Sequence, residues 1–164
     1  MIRIISFGYG HSTPPAAELT YDLRALLRNP FHDEALKTLT GLDEAVYRHV
    51  TETPGAERLA LNAAATARDL AHDADGDVLM AWGCTGGRHR SVGLARRTHE
   101  LLTAAGEEAV IEHRDVHLPL LPPGLHSRPR HDATTPEVES ADAPRAACAS
   151  RSTTSAPAIR ASAI

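Results

Sequence analysis

The sequence predicts an α/β fold: a single domain with a mainly parallel sheet and flanking helices, followed by a disordered C-terminal tail. Three observations predict it. Short apolar runs bounded by turn residues alternate with longer helix-periodic segments, the pattern of parallel strands joined by helices. The aromatic residues Phe7, Tyr9, Tyr21, Phe31, Tyr47 and Trp82 all lie in the first half. After about Leu121 the chain turns to Pro, Ser, Thr, Ala and Arg, too little apolar surface to offset the entropy of ordering. The folded domain is therefore expected over 1–121 and the tail over 122–164. No internal repeat is evident.

Each element has its own local reason. Ile2, Ile4, Ile5 and Phe7 suggest a first buried strand. Leu19 to Leu26 reads as a second, with Tyr21 and Leu23 alternating against Asp22 and Arg24. Asn29-Pro30 marks a turn, and the stretch to Gly41 reads as loop. Asp43 can cap a helix running to about Glu52. Pro54 suits the first turn of a longer helix reaching His72, with Leu59, Ala63 and Leu70 near one face. Asp77 to Trp82, bounded by Gly76 and Gly83, has the length and punctuation of a fully buried strand. His89 to Ala105 is helix-periodic, with Leu94, Leu101 and Leu102 inward and Gly106 placed to stop it. Ala109 to Ile111 gives a fourth strand ending near Asp115.

Composition narrows the function. The net charge is −4 and the pI about 6.2, against indiscriminate nucleic-acid binding, which lives on excess Lys and Arg. Cys84 and Cys148 cannot make a disulfide framework, so a reduced cytoplasmic setting is expected. The N-terminus lacks the apolar core and cleavage site of a secretory signal. No apolar run approaches the roughly 20 residues that span a bilayer, so no membrane partner is expected.

The chemistry concentrates in Gly83-Cys84-Thr85-Gly86-Gly87-Arg88-His89-Arg90-Ser91, where a strand gives way to a helix. Its glycines allow a tight turn and close backbone approach to a ligand. The first N–H groups of the helix lack internal partners, and with the helix dipole they favour an anion. Arg88 and Arg90 offer forked donors suited to phosphate oxygens, and Thr85, His89 and Ser91 offer further hydrogen bonds. No Gly-x-x-x-x-Gly-Lys-Ser/Thr occurs, so this is not a nucleotide P-loop.

Cys84-x-x-Gly87-x-x-Arg90-Ser91 also looks like the phosphate loop of cysteine-dependent phosphatases, in which a thiolate of lowered pKa attacks phosphorus. The His usual before that Cys is Gly83 here. Asp22, Asp43 and Asp115 are the candidate general acids, with none singled out. Cys84 is thus either a nucleophile or a small residue packed under the loop.

Together these segments resemble the C-terminal domain of the RapZ family of RNase adapter proteins. The matching residues are Ser6-Phe7-Gly8-Tyr9, Tyr21-Asp22-Leu23-Arg24, Asn29-Pro30 and Thr40-Gly41-Leu42-Asp43. Gly83 to Val92 and His113-Arg114 complete the set, in order over about 2–115 with a small insertion near Arg28. The resemblance implies an α/β domain that binds a phosphosugar, glucosamine 6-phosphate in the characterised case. It also implies self-association as a homo-oligomer and a link to small regulatory RNA. It places His11 in the ligand pocket, beside Cys84, Thr85, Gly86, Gly87, Arg88, His89, Arg90 and Ser91. Full-length members carry an N-terminal domain with a Walker motif. This chain has none, so ATP binding and hydrolysis are not expected and no cofactor is implied. RNA-bound members end in a basic tail, where this chain reads His117-Leu118-Pro119-Leu120-Leu121-Pro122, which weighs against RNA.

Other residues admit two readings each. His11 is a pocket group or a solvated loop residue. Asp22 and Arg24 support the pocket or form a structural pair at a strand end. His113, Asp115 and His117 alternate as metal ligands could, but surface side chains are the plainer reading. Arg96 and Arg97 read as a solvated helix face, since no aromatics are interleaved for base stacking. The expected function is a non-catalytic sensor or adapter for a phosphorylated metabolite, with a phosphatase as the alternative.

Overall fold

The computed structural model describes residues 1–27, 29–30, 33–73, 76–122 and 124. The expected tail lies outside the described residues, apart from Pro122 and Gly124, and so does Phe31. The elements are β1 (Ile2–Gly8), β2 (Leu19–Asp22), α1 (Glu44–Thr51), α2 (Ala56–Asp73), β3 (Val78–Cys84), α3 (Arg90–Ala104) and β4 (Ala109–His113). They form one parallel sheet in the order β2-β3-β1-β4. Ile2 stands opposite Val78 on one side and Ala109 on the other. Parallel pairing brings the ends of all four strands, Gly8, Asp22, Cys84 and His113, to one edge. Open α/β sheets hold their ligands at that edge.

One face of β1 and β3 supplies Ile2, Ile4, Met80 and Trp82 to a core shared with the helices. From α2 come Ala56, Ala60, Ala63 and Ala67, and from α3 Leu94 and Leu102. Small residues on α2 let it approach α3 closely, and α1 packs on both. Tyr21 of β2 stacks on Trp82 at 4.4 Å between ring centroids.

Several local expectations shift. β2 stops at Asp22 rather than Leu26, because the Asp22 carboxylate accepts the Arg24 backbone N–H at 2.9 Å. Such an i to i+2 bond competes with the strand ladder. Asp43 precedes α1 but does not cap it by side chain. Its carboxylate instead accepts from the backbone N–H and the hydroxyl of Thr40, at 2.8 and 3.0 Å. α2 begins at Ala56, after Pro54, because Gly55 has φ +90°, outside the helical range. Leu70 lies on the exposed side of α2, whose inward face is a row of alanines, with Leu59 half-buried against the core. β3 runs two residues beyond Trp82 and so draws Gly83 and Cys84 into the sheet. Gly106, at φ +83°, follows α3 as expected. Among the described residues no helix is long and apolar enough to cross a membrane.

Candidate anion-binding site

The loop between β3 and α3 is shaped by the end of β1. Gly87 adopts φ +68°, and a side chain there would meet Gly8 N at 2.8 Å and Asp115 Cβ at 2.9 Å. Gly8 N–H donates to Asp115 Oδ2 at 2.8 Å, which fixes the β1 end beneath the loop. Tyr9 N–H and Gly10 N–H donate to the Cys84 and Thr85 carbonyls, each at 2.9 Å. Gly83 has a different cause. A Cβ there would lie 2.4 Å from the Phe7 ring and 2.5 Å from the Tyr9 ring. Those rings occupy the space that a side chain before Cys84 would need.

Cys84 is buried under the turn. Its Sγ is hydrogen-bonded to the Ser91 hydroxyl at 3.2 Å and accepts the Gly87 N–H at 3.2 Å. Ser91 is fully buried, so its hydroxyl serves the thiol and not the ligand space. Gly87 likewise shapes the loop. Among the expected ligand residues, these two have hydrogen bonds that hold the loop to the thiol.

Cys84, Thr85, Gly86, Arg88, His89 and Arg90 line a recess open to solvent, together with Asn29, Leu120 and Leu121. Arg90 Nη1 donates to the carbonyls of Leu23 at 2.8 Å, Leu26 at 3.0 Å and Arg24 at 3.4 Å. Arg88 Nη1 donates to Val116 O at 3.0 Å and Leu118 O at 2.8 Å, and its Nη2 to Thr38 O at 3.2 Å. Both guanidinium tips thus grip neighbouring loops, while each Nε is buried without a partner. His89 Nε2 is also buried without a partner. His89 and Arg90 are only 6% and 4% exposed.

Burial pushes the His89 pKa down, the neighbouring Arg88 adds to this, and Arg90 contributes less. The carbonyls of Lys37 and Leu39 oppose them. His89 is thereby biased toward the neutral imidazole, as its flanking arginines suggest. Burial likewise lowers the Arg90 pKa, against the pull of Cys84 and Asp22.

The remaining expected residues divide. His11 follows β1 and does not line the recess, although its Nε2 is buried without a partner and its ring favours the Asp115 charge. Asp22 and Arg24 pair with each other through Arg24 Nε and Nη2, the latter at 2.7 Å, and Arg24 lies 3.9 Å over the Tyr9 ring. They brace the β2 end beside the recess without lining it. His113 Nδ1 is hydrogen-bonded to the Ser6 hydroxyl at 2.8 Å, and Asp115 pairs with Arg114 at 2.8 Å. Among the described residues no three His, Cys, Asp or Glu side chains cluster as metal ligands.

None of the three candidate acids is held ready to donate a proton. Burial opposes the Asp115 charge, but Arg114, the Gly8 N–H and His11 outweigh it and hold its pKa below the carboxylate norm. The Thr40 hydrogen bonds do the same for Asp43. Asp22 is committed to Arg24.

Asn29, Leu120 and Leu121 were not foreseen as lining residues. The signal for the leucines is the apolar Leu118-Pro119-Leu120-Leu121 run directly after β4, read in sequence only as the domain's end.

Comparison with known proteins agrees with this architecture. The family model described as the RapZ C-terminal domain matches residues 1–117. A "Nucleotide-binding protein" of Sphingopyxis alaskensis is 39% identical over 120 residues, 71% of this chain and 38% of the relative. One from Heliobacterium modesticaldum is 37% identical over 119 residues, 70% of this chain and 39% of the relative. One from Staphylococcus epidermidis is 36% identical over 122 residues, 71% of this chain and 40% of the relative. The chain thus spans about two fifths of the length of these relatives. With the match covering the sheet, all three helices and the whole glycine loop, the chain belongs to the RapZ C-terminal domain family.

Proposed function

We propose that this domain binds a phosphorylated metabolite, an amino sugar phosphate, without cleaving it, and serves as a sensor or adapter. One observation carries the reading. Three consecutive residues, Arg88, His89 and Arg90, each keep one buried nitrogen without a partner, and all three line a single recess. Buried polar groups are nearly always satisfied, and an arginine Nε can only donate, so the Arg88 and Arg90 nitrogens call for an acceptor that the protein itself does not provide, while the neutral His89 ring can offer its lone pair to a ligand hydroxyl. A phosphate group offers several acceptor oxygens and suits the two cations. The recess lies at the carboxyl edge of the sheet, against the first turn of α3, where backbone N–H groups also favour an anion. The nucleotide-binding name belongs to relatives of which this chain covers about two fifths, and this chain has no Walker loop. A phosphomonoester is therefore preferred to a nucleotide.

The second reading, a cysteine phosphatase, is favoured by the Ser91 hydroxyl and Gly87 N–H on the Cys84 sulfur. None of the three candidate acids, Asp22, Asp43 and Asp115, lines the recess, and going without an acid for the leaving oxygen typically costs on the order of 100- to 10,000-fold in rate. The test is a thermal-shift and Trp82 fluorescence titration with glucosamine 6-phosphate and inorganic phosphate, beside a p-nitrophenyl phosphate assay. Saturable stabilisation without turnover is expected. Turnover that vanishes in Cys84→Ser establishes the phosphatase instead.

A further inference from the structure

The segment after β4 does more than end the domain. Asp115 O accepts the Leu118 N–H at 3.1 Å, closing a turn that sends the chain toward the anion loop. Arg88 then grips the carbonyls of Val116 and Leu118. Val116 is buried. Leu121 is seated against Gly10, its Cδ1 only 2.2 Å from where a Cβ on that glycine would stand. The strap from Val116 to Leu121 is therefore held at both ends. Between and at those holds Leu120 and Leu121 join Thr85, Gly86 and Arg88 in lining the recess. Leu120 stays 39% exposed, an apolar side chain at the mouth of a cationic site.

Resting on the anion-binding reading, we infer that Leu120 and Leu121 form a specificity wall that selects a compact phosphomonoester whose carbon skeleton packs on the strap. The ligand's phosphate faces the loop donors. Its C–H surface, such as one face of a hexose ring, covers the leucines. A bare phosphate ion gains nothing from that wall. A nucleoside triphosphate brings further anionic groups to a recess whose lining beyond the loop is Asn29 and the two leucines, where most of them lose water without gaining partners. Small-molecule sites commonly combine a few placed polar groups with such an apolar lining. Arg88 ties the strap to the loop, because its guanidinium grips the Val116 and Leu118 carbonyls while the residue lines the recess.

The experiment is calorimetric titration of the full chain and of Leu120→Ser and Leu121→Ala with inorganic phosphate, glucose 6-phosphate and ATP. Leu120 is partly exposed, so Leu120→Ser is expected to melt like the parent. The wild-type chain is expected to prefer glucose 6-phosphate to both other probes. Each substitution should weaken glucose 6-phosphate by about fivefold to tenfold, while inorganic phosphate changes less than about twofold. Equal weakening of phosphate and sugar phosphate, or unchanged preference in both variants, overturns the wall and leaves the anion site standing. Absence of any phosphate or phosphosugar binding to the wild-type chain removes the anion site itself, and the wall with it.

Discussion

The Cys84 sulfur and the Ser91 hydroxyl lie 3.2 Å apart, joining the last residue of β3 to the first turn of α3 beneath the glycine loop. The bond spans the whole turn, and the Gly87 N–H reaches the same sulfur from the loop's apex. The thiol is thus a hub for the backbone that forms the recess. In Cys84→Ser the oxygen lies nearer Cβ than the sulfur, and it can take both bonds once the turn closes slightly onto it. The variant is expected to keep phosphosugar affinity to within about 1 kcal/mol, the net scale of one hydrogen bond. Calorimetry of wild type and variant checks this. Complete loss of binding in a folded variant would assign the sulfur a direct ligand role.

Arg90 has two duties, and its variants should separate them. Its Nη1 holds the carbonyls of Leu23, Arg24 and Leu26, so Arg90→Ala should lose about 1–3 kcal/mol of stability in urea unfolding. Its buried Nε faces no protein acceptor, so anion affinity should also fall, by about 1.5–3 kcal/mol. Arg90→Lys keeps the charge without the fork. It should recover part of the affinity and little of the stability. Unchanged phosphosugar affinity in folded Arg90→Ala would remove this residue from the site.

Stability should fall as the pH drops through and below the ordinary histidine value of about 6.5. Burial lowers the pKa of His89 and of His113, with Arg88 reinforcing the first and His117 and His99 the second. The unfolded chain therefore binds these protons at a higher pH than the folded one. Stability is full above the ordinary histidine value near 6.5, declines below it, and levels off once the folded pKa is passed. Asp43, Glu57 and Asp115, whose pKa values are also lowered, withdraw their contributions only at lower pH, through the carboxylate range. Melting temperature against pH checks this, and His89→Gln and His113→Gln should each flatten the slope. A flat wild-type profile across that window would contradict it.

Arg97 is not the solvated side chain that its helix position suggests. Its Nε and Nη2 donate to Glu57 at 2.8 and 2.6 Å, clamping α3 to α2, and Nη1 reaches Glu100 at 3.4 Å. Arg96 lies 3.8 Å over the Tyr47 ring and donates to Glu100 and Glu44. Tyr47 also donates to Glu100, and burial and that carboxylate push its pKa up to about 12. The Glu57 side chain is 46% exposed, so solvent screens the pair. Arg97→Ala is therefore expected to cost about 1 kcal/mol, and less in high salt. Urea unfolding at low and high salt measures both.

The alternation of apolar strands with helical segments was enough to place β1, β3, α3 and the glycine loop, because each rests on local chemistry. A buried parallel strand must be apolar throughout, and a loop that turns tightly onto a helix must carry glycine. The candidate site loop was picked out for the same reason, since its glycines, cations and hydroxyls are contiguous from Gly83 to Ser91. Only the tertiary structure decided how those side chains are used. It turned Ser91 inward to Cys84 and anchored Arg90 on carbonyls more than sixty residues away. It filled the space beside Gly83 with Phe7 and Tyr9, and brought Leu120 and Leu121 into the lining of the recess. These arrangements join segments distant in the chain. They follow from parallel pairing, which gathers four strand ends at one edge, and from buried donors taking whichever carbonyls the fold places within reach.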